Sequence, residues 1–308
     1  MITGKTHAQE AVLAANRLAQ LVPVTGDDYR EYHPDHPWLA EHAPLEMPAA
    51  TAPVSGGIIR LALDHALAGR YSVLLEGTFR DPAMVTATAA RFAGAGYRVE
   101  VVAVATPAAE SRLSAQRRAL GDGGRFGRWT PPGAHEAALT GSPLVVAALE
   151  EVPAVSRVQV YSRQRLLYDN ERGAGGAWRD TPRAAEALRA EQARPLTAAQ
   201  AAGWLARYHD VFNDARSRPG YLGPATVPAY RLLQQDAASL IPVAGADPKS
   251  DLAALRREHN LRQAVLAHLA PPHAEGRRRS RTNRFPRPPS PPLSSWNPPS
   301  RQPPGPRL

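Results

Sequence analysis

Several groups of residues in the 308-residue chain have types and spacings that can do chemistry. Gly4-Lys5-Thr6 is the second half of the phosphate-binding pattern G-x-x-x-x-G-K-[ST], and a helical pattern follows it directly. Backbone N–H groups at a helix N-terminus bind phosphate. In that pattern Lys5 reaches the β- and γ-phosphates and the Thr6 hydroxyl holds Mg²⁺. The tripeptide alone is a weak signal. The first glycine of the pattern, and the strand that should hold the loop, would both fall before Met1, so the pattern is half present.

Asp27-Asp28 follows the apolar run Leu21–Thr25, and His33-Pro34 closes the segment. A carboxylate at the C-terminal end of a strand in an open α/β sheet faces the ligand crevice. There it can take a proton from a substrate hydroxyl or hold Mg²⁺. Aspartate is also a favoured helix N-cap, and both uses stay open. In Leu74-Leu75-Glu76-Gly77-Thr78-Phe79-Arg80-Asp81-Pro82 an apolar strand runs into a polar loop and then a helix start. Glu76 stands at the strand end, where a buried carboxylate needs a polar partner or a ligand. Arg80 stands in the crevice loop, and an internal Glu76–Arg80 ion pair is the plainer account. Arg112, Arg117, Arg118, Arg125 and Arg128 lie on a helix and the loop after it. Guanidinium groups converging on a triphosphate stabilise charge that develops in phosphoryl transfer. A solvated helix face is the ordinary use of such a run.

The elements that must position these residues alternate between two periods. Helical spacing covers about 7–20, and Leu21–Thr25 reads as a strand. A helix over Ile58–Leu67, a strand over Tyr71–Leu75, and a helix from Pro82 to about Ala93 follow, the last stopped by Gly94 and Gly96. Next come a strand over Arg98–Ala105, helices over Ala108–Leu120 and His135–Glu151, and a strand over Val155–Tyr161. Near-continuous apolar strands separated by helices predict a parallel sheet covered on both faces. Past Gly173-Ala-Gly-Gly176 the strands stop. Thr181-Pro182 reads as an N-cap with a first-turn proline, Thr197-Ala-Ala-Gln200 as a capping box, and Asp247-Pro248 as a further helix start. Residues 181–270 therefore read as all-helical, with helices near 183–193, 197–216, 227–240 and 248–269. Tyr208, His209, Asp210 and Asp214 cluster on one of them and read as surface polar residues rather than a metal pair.

Composition removes several function classes. The chain has no cysteine, which excludes disulfides, a thiolate nucleophile and thiolate zinc sites. No apolar run approaches a membrane span, and the first residues, with Lys5, His7, Gln9 and Glu10, do not read as a signal peptide, so a cytoplasmic protein is expected. The net charge of +9 suggests nucleic acid until its position is considered. Residues 271–308 hold eight arginines and one glutamate, which is seven of those nine charges, together with 12 of the 31 prolines. That segment is too poor in apolar residues to offset its ordering entropy and reads as a disordered basic tail, able at most to touch nucleic acid weakly.

At these positions the sequence resembles the zeta toxin family of P-loop kinases. The resemblance rests on Gly4-Lys5-Thr6, on the spacing of Asp27 to His33-Pro34, on LLEGTFRDP at 74–82 and on RWTPPGAH at 128–135, and it spans roughly residues 3–170. It implies a P-loop kinase domain over 1–172, lacking the first strand and half of the phosphate loop, followed by the helical region 181–270 and the tail 271–308. It further implies transfer of phosphate from ATP, with Mg²⁺, to the sugar 3′-hydroxyl of UDP-N-acetylglucosamine. The resemblance assigns Gly4, Lys5 and Thr6 to the nucleotide, Thr6 to the metal, Asp27 to activation of the hydroxyl, and Glu76, Thr78 and Arg80 to the acceptor. Arg128 and Arg117 match the phosphate-contacting arginines, with Arg118 the alternative to Arg117. An antitoxin protein is the expected partner. The competing expectations are a truncated, non-catalytic remnant of the fold and a kinase for another small-molecule hydroxyl.

Overall fold

A computed structural model describes residues 13–14, 20–78, 81–121, 127–247 and 249–269. Gly4, Lys5, Thr6, most of the helix expected over 7–20, Arg80, Arg125 and the tail 271–308 lie outside the described residues.

Strand β1 (Val22–Thr25) runs into a 3-10 helix (Asp28–Tyr32), then helices α1 (His36–His42) and α2 (Met47–Gly69). Strand β2 (Val73–Glu76), helix α3 (Pro82–Gly94), strand β3 (Val99–Val104), helices α4 (Ala108–Leu120) and α5 (Pro132–Glu151), and strand β4 (Val155–Tyr161) continue the alternation. The local signals act as their chemistry demands. Asp81 accepts from the Ala83 N–H at 3.0 Å and caps α3, with Pro82 in the first turn where its missing N–H costs nothing.

β1 pairs with β2 in parallel, Thr25 opposite Glu76, and β3 pairs with β4 in parallel. The pairs belong to separate sheets, β1-β2 and β3-β4-β5. Among the described residues neither β2 nor β3 has a strand on its other side, and both line one cavity. Every residue of β2 and β3 is only half-buried, whereas Val155, Val158 and Val160 of β4 are fully buried.

Strand β5 (Leu166–Glu171) departs from the expected parallel pattern: it returns antiparallel along β4 after a tight turn at 162–165. Leu-Leu-Tyr-Asp-Asn-Glu lacks the continuous apolar run of a buried strand because it covers an edge. Helix α2 begins about eleven residues before the Ile58 start that sequence suggests, since Pro53, Gly56 and Gly57 all argue against a helix there, although Pro48 suits its first turn. Tertiary contacts of that half, described below, override the local preference.

Helices α6 (Ala184–Gln192), α7 (Ala198–Ser217), α8 (Val227–Ala244) and α9 (Leu252–His268) complete the described chain. The Thr197–Gln200 capping box forms in full. Two other expected starts do not. Thr181 does not cap α6; its first N–H, from Ala184, donates instead to the buried Glu150 carboxylate at 3.0 Å. Helix α9 begins at 252 with Asp251 as its cap rather than at Asp247. Tyr208 is fully buried, not a surface residue, in a chain of tilted and edge-to-face rings that runs from Trp204 through Tyr208 and Phe212 to Tyr230. Leu113 and Leu120 of α4 belong to that same core, so α7 and α8 pack directly on the α/β part, and α9 packs on α8.

Candidate active site

The C-terminal ends of β1 and β2 lie side by side, which brings Asp27, two residues past Thr25, and Glu76 to one edge. Asp27 occupies the N-cap position of the 3-10 helix, yet its side chain caps nothing. It pairs with the Arg30 guanidinium at 3.3 Å and with Arg128. Arg30 in turn donates to the Pro48 carbonyl and the Thr51 hydroxyl, both at 2.8 Å. Ser55 donates to the Gly26 carbonyl at 2.5 Å. Thr51 and Ser55 are buried on α2, so the proline-rich half of that helix is the platform that fixes the Asp27 loop. Polar groups so deeply buried need these bonds, and the bonds define where the carboxylate stands.

Arg128 is placed by its neighbours on both sides. Gly127 donates to the Ala119 carbonyl at 2.9 Å at the end of α4, and a Cβ there would sit 2.0 Å from the Arg118 carbonyl oxygen. Only glycine lets the chain pass. Trp129 is buried against Ala119 of α4 and Ala229 of α8. The guanidinium of Arg118 faces the same cluster. Burial pushes its pKa down, neighbouring Arg128 adds to that, and Asp27 opposes it, with smaller effects from Arg163 and Glu76. Arg117, one residue earlier, is exposed, although it also lines the cavity.

That cavity has a volume of about 1520 Å³ and runs beside β2 and β3 to the loops that follow them. Glu76, Gly77 and Thr78 line one side, and Arg117, Arg118, Arg128 and Arg163 contribute positive charge. Such a lining fits a polyphosphate. Among the described residues no group of three or more histidines, aspartates and glutamates could hold a metal ion. Of the residues expected from sequence, the fold brings Asp27, Glu76, Thr78 and Arg128 to one edge, with Arg118 turned more fully toward them than Arg117. Arg30, Thr51, Ser55, Gly127 and Arg163 were not legible in advance. Arg30 stands three residues from Asp27, which was the one local hint.

Strands, crossovers and the arginine-lined edge together define a P-loop kinase-like α/β protein. A solved structure from the PezAT chromosomal toxin–antitoxin system of Streptococcus pneumoniae superposes with a TM-score of 0.53 over 67% of this chain and 81% of that one, at 17% identity. The family model described as Zeta toxin matches residues 3–173, and the chain belongs to that family. Among curated relatives, Toxin zeta of Enterococcus hirae is 22% identical over 172 residues, covering 54% of this chain and 60% of the relative. Toxin PezT of Streptococcus pneumoniae serotype 4 is 26% identical over 161 residues, covering 51% of this chain and 64% of the relative. The matched region thus spans less than two thirds of either relative's length. No helix among the described residues is long and apolar enough to cross a membrane.

Proposed function

We propose that the protein transfers the γ-phosphoryl group of ATP to the sugar 3′-hydroxyl of UDP-N-acetylglucosamine. The observation that carries this reading is Asp27, a strand-end carboxylate that caps no helix and is held by Arg30 and by Arg128, the latter one of the arginines that line the cavity. In the proposed site Arg128 and Arg118 leave their carboxylate neighbours for the triphosphate, and Asp27 accepts the acceptor hydroxyl's proton while Arg30 holds it in place. Glu76, Thr78 and Arg80 position the sugar nucleotide. Gly4, Lys5 and Thr6 bind the β- and γ-phosphates. Thr6 would hold Mg²⁺ together with phosphate oxygens, and the ion would supply charge neutralisation when bound. An antitoxin protein is the natural partner of such an activity, which belongs in the cytoplasm, where ATP and the sugar nucleotide are found.

The test is phosphate transfer from ATP to a panel of UDP-sugars, with Asp27→Asn as the control. Loss of a general base costs about 10²–10⁴-fold, so the variant should lose transfer by that factor while still binding ATP. Near-normal turnover by Asp27→Asn would sink the assignment. Transfer to another hydroxyl compound but to no UDP-sugar would keep the kinase and change its acceptor.

A further inference from the structure

The cavity holds a second constellation, set apart from Asp27. Ser111 Oγ lies 3.0 Å from His135 Nε2, and His135 Nδ1 lies 3.1 Å from Glu136 Oε1. Ser111 and His135 both line the cavity. Glu136 decides where the protons sit. Arg112 donates to both of its oxygens, at 2.9 and 2.8 Å, and holds the carboxyl below the usual carboxylate range. Near neutral pH Glu136 is therefore an acceptor only, and His135 Nδ1 carries the hydrogen between them. In the neutral imidazole that leaves Nε2 as an acceptor, so the Ser111 hydroxyl donates to it. Hydroxyl, base and orienting carboxylate stand in the order that activates a nucleophile, an arrangement known by geometry and roles rather than by sequence position.

The surrounding charge selects the electrophile. Glu110, immediately before Ser111, gathers Arg163 at 3.5 Å and Arg207 at 2.6 Å, and both arginines line the cavity. Guanidinium groups beside an oxygen nucleophile suit an anionic phosphoryl centre better than a neutral ester.

We propose that Ser111 is a phosphoryl acceptor within the protein itself. Its Oγ attacks the γ-phosphorus of ATP; an Oγ–P bond forms, and the bond from that phosphorus to the β–γ bridging oxygen breaks. The electron pair leaves with ADP, and the serine proton passes to His135 Nε2. The proposal rests on the reading that the cavity binds ATP. Its product carries about −1.5 to −2 charges at neutral pH and competes with Glu110 for Arg163 and Arg207. The modification would place fixed negative charge where a nucleotide's phosphates must enter, which makes the reaction self-limiting.

The intact chain is incubated with ATP and Mg²⁺ and its peptides are read by mass spectrometry, with thermal melts confirming that each variant is folded. Phosphate is expected on Ser111, absent in Ser111→Ala and formed at least tenfold more slowly in His135→Gln. Ser114, one turn on and bonded to Arg163 rather than to a base, should stay unmodified. A chain that binds ATP, phosphorylates a small acceptor and leaves Ser111 bare overturns the proposal. A chain that binds no ATP overturns the reading of the cavity, and a fluorophosphonate probe, which needs no nucleotide, then separates the two ideas. Failure to label Ser111 would show an ordinary hydrogen bond, and labelling without ATP binding would overturn ATP as the donor.

Discussion

At the scale of single residues, two adjacent arginines in α4 present different surroundings to the same cavity. Arg118 is partly buried among Arg128, Asp27, Arg163 and Glu76, whereas Arg117 is exposed. A cation that acts on charge developing in a transition state must be held and desolvated, because exposed charges are screened. Arg118→Ala should therefore cost phosphoryl transfer about 10²-fold or more, mostly in kcat, and Arg117→Ala less than tenfold. Steady-state kinetics on both variants decide the matter, and the reverse ranking would return the role to Arg117. Asp27 and Glu76 were legible because strand-end position and residue type are local properties, and Arg128 because it closes a run of arginines on a helix and the loop after it. Thr51 and Ser55 were not. Their contacts with Arg30 and Gly26 bridge 21 and 29 positions, and nothing local distinguishes a buried threonine from an exposed one.

At the scale of elements, the turn from α4 into the Arg128 loop turns on one glycine. Gly127 sits where an alanine Cβ would meet the Arg118 carbonyl oxygen at 2.0 Å and the Gly121 Cα at 2.8 Å. Backbone atoms cannot yield as a flexible side chain does, so Gly127→Ala must move the loop. We expect a loss of about 1–3 kcal/mol in urea unfolding. We also expect a fall in transfer of about 10²-fold, because misplacing a catalytic group by an ångström costs that much. An alanine variant with normal stability and rate would mean the loop relaxes freely. Sequence located α4 and β4 to the residue, since unbroken apolar periodicity and clear stops bound them. It missed the early part of α2, where Pro53, Gly56 and Gly57 give the wrong local answer, and β5, whose polar edge-strand composition carries no period-2 signal. It also misplaced the cap of α6, because the acceptor, Glu150, lies 34 positions away.

At the scale of the whole molecule, Arg112 joins the α/β part to the helical region. It bonds Glu136 on α5 and, at 2.8 Å, Asp236 on α8. Burial pushes the Asp236 carboxyl up to about 6, against the pull of Arg112 and with help from Glu136. Its folded pKa therefore lies above its unfolded value of about 3.9. The folded chain holds the proton between those values while the unfolded chain releases it, so this group's contribution to stability falls as pH rises from 4 to 6. Asp236→Asn should remove that slope. The stability of the natural chain minus that of the variant should drop by up to about 3 kcal/mol between pH 4 and pH 7, measured by urea unfolding at each pH. A difference that does not change with pH would mean Asp236 is ionised throughout.

Among the described residues no strand stands between β2 and β3, and that has a consequence in the rates at which backbone amides exchange with solvent. Residues of a strand point their N–H groups alternately to either side. Ala105 donates to the Tyr161 carbonyl, so Val101 and Ala103 also turn toward β4, and Val102 and Val104 turn toward the cavity. On β2 the Ser72 carbonyl accepts from Val22, so Leu74 turns toward β1 and Leu75 toward the cavity. Within one short strand, neighbouring amides should differ in protection. Deuterium uptake read by NMR should be fast at Leu75, Val102 and Val104 and slow at Leu74, Val101 and Ala103. If both sets exchange slowly and equally, a further strand joins the two sheets in solution, and the cavity is narrower than the described residues alone make it.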